Sequence, residues 1–262
     1  MPTPFDEVIE KIKERGYHNQ RLEDHSDIVG NRILSDLKNR CEALKKDFDE
    51  NDVRCWPNVN APGARGRKID LLIGEPDANG EPDLGNIRIC VENKSVITAH
   101  RNSYARFDDL NETLQVIHRV KSEAIIVATI LVGIADRYLN VPDRIKPRYK
   151  HKEEDFDSKV LPRLSHGDQT LWDEFDYAIS ENRANDAART IEKFRTLPVR
   201  NPGQTHQMGF DFLLFAPVFV DNVNEPYLAR TNPFNINIDV DYSNMLTIMC
   251  RAYIARWHFS TI

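Results

Sequence analysis

Leu34, Leu37, Cys41, Leu44 and Phe48 recur at three- and four-residue intervals. That spacing puts them on one helical face and predicts a long helix from about Ser26 to Asp49. Extended backwards, the stripe falls on Gly30 and Asp27, so Asp27 is expected on the buried side. A shorter helix is expected over residues 4–15. Residues 51–67 read as a strand or loop that ends in a Gly- and Arg-rich turn.

The period then changes. Lys68 to Gly74 reads as a short strand, and Glu75 to Gly85, dense in Pro, Gly, Asp and Asn, reads as a turn. Asn86 to Val96, rich in branched residues, reads as a second strand that pairs with the first as a hairpin. Phe107, Leu110, Leu114 and Ile117 return to helical spacing and predict a helix over about Tyr104 to Val120. Ala124 to Val132 is an unbroken apolar run, which suits a strand buried on both faces. Strand, helix and buried strand make a crossover, so the last strand is expected parallel to the one before the helix.

Beyond residue 140 the pattern is weaker. Residues 140–170 read as a polar, Pro-containing excursion. Leu171 to Arg195 reads as helical, and Asp211 to Val220 as a strand with an edge or bulge at Pro217. Tyr242 to Trp257 reads as a closing helix. Neither an internal repeat nor a low-complexity linker divides the chain. One α/β domain over residues 1–262 is the simplest account: a mixed β-sheet flanked by helices, with C-terminal helical and strand additions.

Composition excludes several classes. The 262 residues are 40% hydrophobic and 29% charged, which is too apolar for a disordered chain. No apolar run approaches a membrane span. The charged N-terminus has no signal-peptide core, so a cytoplasmic protein is expected. Cys41, Cys55, Cys90 and Cys250 are too scattered for a zinc knuckle and read as reduced thiols. A net charge of −6 argues against coating nucleic acid by bulk charge, but leaves room for a local basic cleft. Phosphate-binding glycine loops and the HExxH motif are absent.

Charged residues inside the hairpin carry the candidate chemistry. Side chains alternate along a strand, so Glu92 and Lys94 share a face about 7 Å apart. Asp70, on the neighbouring strand, can face the same side. Two adjacent carboxylates repel, and a divalent cation relieves the repulsion. Hard oxygen ligands suit Mg²⁺, which keeps several waters and accepts a phosphate oxygen. Such an ion polarises phosphate and acidifies bound water, and a nearby ammonium stabilises charge growing on the phosphate.

An acid, any residue, then Lys occurs three times: Asp36 to Lys38, Glu92 to Lys94 and Asp157 to Lys159. Only the second lies in an apolar strand, after a strand bearing an Asp and before an amphipathic helix. The competing reading is a surface ion-pair cluster on an exposed sheet face.

Ile69-Asp70 followed by Glu92-Asn93-Lys94, in an α-β-β-α-β frame, resembles the PD-(D/E)XK nuclease superfamily, which includes most type II restriction endonucleases. The resemblance spans about residues 20–132 and departs from the motif at Ile69, where Pro is usual. It implies a restriction-endonuclease-like core over about residues 20–135, with residues 136–262 serving DNA recognition and dimerisation. It implies Mg²⁺ held by Asp70, Glu92 and the backbone carbonyl of Asn93, with Lys94 assisting the nucleophilic water. Members often add an acid from the preceding helix. Asp27 fits that place, with Glu23 as second choice.

The activity so implied is Mg²⁺-dependent cleavage of double-stranded DNA at a specific site by a homodimer, with a cognate DNA methyltransferase as possible companion. A less specific defence or repair nuclease, or a non-catalytic DNA-binding protein on the same fold, is the alternative. Candidate DNA contacts are Arg65, Arg67 and Lys68 before the first strand, and Thr98, His100, Arg101 and Asn102 after the second. These residue types donate to phosphates and base edges. The competing reading of the second group is a polar loop with a helix cap at Asn102 or Ser103. Arg144 to Lys152 and Arg200 to Gln207 are further donor-rich segments that also read as surface loops.

Overall fold

The computed structural model describes residues 2–15, 24–61, 68–97, 100–139, 155–175, 179–201 and 203–259. The chain opens with α1 (Pro4–Arg15), α2 (Asp24–Arg40) and α3 (Glu42–Asp49). Strands β1 (Arg54–Asn60), β2 (Lys68–Pro76) and β3 (Pro82–Val96) follow, then α4 (Ser103–Val120) and β4 (Ile125–Gly133). Next come β5 (Arg137–Leu139), α5 (Leu161–Ser165), α6 (Gln169–Glu174), β6 (Ile179–Glu181) and α7 (Asp186–Phe194). The chain closes with β7 (Phe212–Phe219), β8 (Tyr227–Leu228) and α8 (Ile238–Tyr253).

Six strands form one mixed, open sheet in the order β1-β2-β3-β4-β7-β8. The hairpin expected from the sequence is β2–β3, antiparallel, closed by a turn in which Asp77 N–H donates to the Glu81 carbonyl at 2.7 Å. Both strands run further into the turn than the sequence suggests. The crossover is also present: β3 and β4 are parallel, and every residue of β4 is buried. β7 extends the parallel set on the other side of β4.

Helices cover both faces. Asn93 Nδ2 reaches the Ser26 carbonyl of α2 (3.1 Å), whereas its neighbour Glu92 meets Thr113 of α4 (3.2 Å). Consecutive strand residues point to opposite faces, so α2 and α4 lie on opposite sides of the sheet. α8 packs beside α2, and α7 beside α4. One apolar core runs from Phe5 of α1 to Tyr253 of α8. A small second core of Leu139, Phe156, Leu164, Leu171, Phe175 and Val223 supports the two-stranded β5–β6 sheet and the short helices between them.

Three expectations need correction. The helix expected over Ser26–Asp49 is two helices, broken at Cys41, whose backbone is extended (φ −114°, ψ 95°). Leu37, Cys41 and Leu44 of the expected stripe are buried, but its backward extension through Leu34 gives way in α2 to Val29 and Ile33, and Asp27 is exposed. The helix expected over Leu171–Arg195 is interrupted by β6, which pairs antiparallel with β5.

Candidate active site

β2 and β3 stay paired as far as Leu71 and Val91. One residue beyond, Asp70 continues the register opposite Glu92, and there the strands part. The Asp70 carboxylate fills the opening: its Oδ2 accepts the Asn93 backbone N–H at 2.6 Å. Glu92 is fully buried, and both of its oxygens are engaged. Oε1 accepts from Thr113 Oγ1 at 3.2 Å and Oε2 from Lys94 Nζ at 2.5 Å. Lys94 Nζ also lies 3.7 Å from Asp70 Oδ2. Thus the ammonium sits between the two carboxylates, and the three residues expected from the sequence share one face.

The electrostatics follow from this burial. Desolvation pushes the Glu92 carboxyl up to about 7; the nearby Lys94 charge opposes the shift and Asp70 reinforces it. Burial disfavours charge on Lys94 too, but the carboxylates of Glu92 and Asp70 outweigh it and raise the ammonium above its ordinary value. The site therefore favours a positive charge between two acids, which is the chemistry of a cation site. Among the described residues no three His, Cys, Asp or Glu side chains gather around one point. A cation there would rely on Asp70, Glu92, a backbone carbonyl and water, a donor set that fits Mg²⁺.

Comparison of the chain with protein-family models, with curated proteins and with solved structures finds no match.

Other expected residues divide. Asp27 is exposed, yet its Oδ1 accepts from Asn58 Nδ2 at 3.2 Å. Asn58 lies between the pairs Pro57–Leu71 and Val59–Ile69, hence opposite Asp70, and its backbone is left-handed (φ 55°). Asp27 is thereby tied to β1. Lys68 is exposed at the start of β2, and Asn102 is exposed just ahead of α4 without a side-chain capping bond.

His100 does not join this set. It is buried, and its Nε2 and Nδ1 lie 2.9 Å from the Gly133 carbonyl and 2.7 Å from Thr190 Oγ1. Nε2 must donate to the carbonyl, so Nδ1 accepts from the hydroxyl. Burial lowers its pKa, so it is a neutral core histidine and cannot reach a base edge. Gly133 allows this packing, because a Cβ there would lie 1.9 Å from the Ile97 carbonyl oxygen. Arg65, Arg67, Thr98, Glu23, residues 144–152 and the Arg101 side chain lie outside the described residues.

The donor-rich loop from Arg200 lies elsewhere. Arg200 Nη1 donates to the Ala124 carbonyl at 2.9 Å, where β4 begins, whereas Lys94 is level with Ile130. Six strand residues separate those levels, about 20 Å. The loop is therefore at the other end of the sheet from the acids.

Sequence reading missed Thr113, Thr129 and Asn58. The first two carried a signal. Thr113 falls on the apolar face of α4 with Leu110, Leu114 and Ile117, and Thr129 is the one polar residue in the β4 run. A polar side chain at a buried position is expected to hold a partner.

Proposed function

We propose that the chain is a divalent-metal-dependent endonuclease of double-stranded DNA on a PD-(D/E)XK-type, restriction-endonuclease-like core. The observation that carries this reading is the opposition of Asp70 and Glu92 where β2 and β3 part, with Lys94 between their oxygens. Asp70 and Glu92, with the Asn93 backbone carbonyl, are the residues that would hold Mg²⁺, and Asp27 is the further acid that the resemblance suggests, bonded to Asn58 of β1. When bound, such a cation polarises phosphate and acidifies water. Lys94 supplies a positive charge that a phosphate can approach once a metal has taken over neutralising the two acids. Thr113 restrains one oxygen of Glu92 and leaves the other facing Lys94. Lys68, Arg101 and Asn102 border the site in sequence and are the proposed DNA contacts, with Arg65, Arg67 and Thr98.

Within this reading a type II restriction enzyme, acting as a homodimer beside a cognate methyltransferase, is the specific form. Incubation with plasmid DNA and Mg²⁺ or Mn²⁺ tests it. Discrete fragments, lost on adding EDTA, are expected for site-specific cleavage. A smear marks a less specific defence or repair nuclease. Lys94→Ala and Glu92→Gln should each slow cleavage by roughly 100-fold or more. Intact DNA under every divalent ion tried, or cleavage indifferent to both substitutions, sinks the proposal.

A further inference from the structure

Asn93 does more than contribute backbone to the site. Its side chain lies on the opposite face of β3 from Glu92, the face that α2 covers. On that face Leu71 lies 3.6 Å from where a Cβ on Gly30 of α2 would be, an apolar contact. A hydrocarbon at position 93 would suit the same packing. Instead the carboxamide is bonded at both ends. Nδ2 donates to the Ser26 carbonyl in the first turn of α2 at 3.1 Å, and Oδ1 accepts from Thr129 Oγ1 of β4 at 2.8 Å. Thr129 is fully buried, so its hydroxyl is a fixed anchor. The backbone N–H of the same residue holds Asp70.

We infer that the Asn93 side chain is a positioning latch: anchored by Thr129 and tied to the first turn of α2, it fixes the β3 backbone at the point where the Asn93 N–H holds Asp70. Ser26 immediately precedes Asp27, so the bond to its carbonyl sets the Asp27 backbone within one residue of Asn93. Asn58 then holds the Asp27 carboxylate from β1. One carboxamide thus couples a helix, the catalytic strand and the strand beyond it. Asn93 acts through Asp70, not on a reacting atom. The inference rests on the nuclease reading for what Asp70 and Glu92 would hold.

The test is Mn²⁺ titration of the full chain by calorimetry, with amide hydrogen exchange of the α2 first turn in the metal-free protein. Thr129→Val removes the anchoring hydroxyl and keeps the shape, Thr129→Ser keeps the hydroxyl, and Asn93→Ala removes the latch. Thr129→Val and Asn93→Ala should weaken Mn²⁺ binding about tenfold, the usual cost of losing a group that orients metal ligands. Both should also speed exchange in residues 25–29, while Thr129→Ser stays near wild type. Wild-type affinity in Thr129→Val overturns the latch and leaves the nuclease reading standing. Equal losses in Thr129→Ser and Thr129→Val also overturn it, because methyl packing would then be the cause. No Mn²⁺ binding by the wild type removes both the latch and the nuclease reading. If Thr129→Val does not fold, Asn93→Ala against Thr129→Ser makes the same comparison.

Discussion

Glu92 has two donors, Thr113 and Lys94, yet burial still pushes its carboxyl up to about 7. The consequence for stability has a definite sign. An unfolded Glu ionises near 4.5. Between that value and about 7 the folded chain keeps the proton while the unfolded chain releases it, so stability falls as pH rises through this window. The penalty is complete above about 7 and amounts to roughly 3 kcal/mol. Urea denaturation in EDTA should therefore show wild type losing that much relative to Glu92→Gln as pH rises; parallel curves would refute it. On the proposed reading, adding a divalent cation above pH 7 offsets the loss, since it favours the ionised carboxylate. Asp70, Glu92 and Lys94 were legible in the sequence because strand alternation is a local rule that fixes who shares a face. His100 was not, because its partners Gly133 and Thr190 lie 33 and 90 residues away. A polar residue beside a motif reads as a ligand contact until its distant partners are known.

At the scale of elements, the α2–α3 break shows what periodicity misses. The stripe runs on through Cys41 without Pro or Gly, so local propensity favours continuation. The interruption is matched by tertiary contacts with α8. Cys41 Sγ lies 3.8 Å from the Cys250 carbonyl and Cys250 Sγ the same distance from the Arg40 carbonyl, while Arg40 Nη1 donates to the Ser243 carbonyl at 2.6 Å. The Leu171–Arg195 misreading has the same origin, since the partner of β6 lies some 40 residues upstream in β5. α3 and α8 are further joined through Asp47, which accepts from Tyr253 Oη (2.6 Å), Arg88 Nη1 (2.5 Å) and His258 Nε2 (3.0 Å). Burial alone would raise its pKa. Hydrogen bonds from Tyr253 and His258, with the charges of His258 and Arg88, outweigh that and hold the carboxyl below 3.8. Its contribution is thus present above that value and is lost as pH falls below it. Tyr253→Phe removes one donor from a buried carboxylate and should destabilise by about 1–3 kcal/mol at neutral pH. Chemical denaturation measures this. The deficit should shrink on acidification below pH 3.8, and a deficit independent of pH would show that the bond from Arg88 to the Tyr253 hydroxyl, not the bond to Asp47, is at stake.

Over the whole molecule, the span that resembles a nuclease core is not a separable unit. The sequence placed that core at about residues 20–135, and every strand bearing a proposed ligand does lie within it. Its stability does not. β4 is buried along its whole length because β7 pairs with it from Val127 to Gly133 and helices cover both faces. α8 closes over α2, and Tyr242 Oη donates to Asp36 Oδ2 at 2.8 Å. Removing residues 136–262 would therefore bare the edge and one face of the most apolar strand and strip the cover from α2. An exposed, flat, hydrophobic edge strand is a template for aggregation. We expect a fragment of residues 1–135 to be insoluble or molten, without the sharp near-ultraviolet circular dichroism of the full chain. A monomeric fragment with a cooperative thermal transition would show instead that the two halves fold independently. The acids at the β2–β3 opening therefore depend on the second half for the rigidity of the sheet that aligns them.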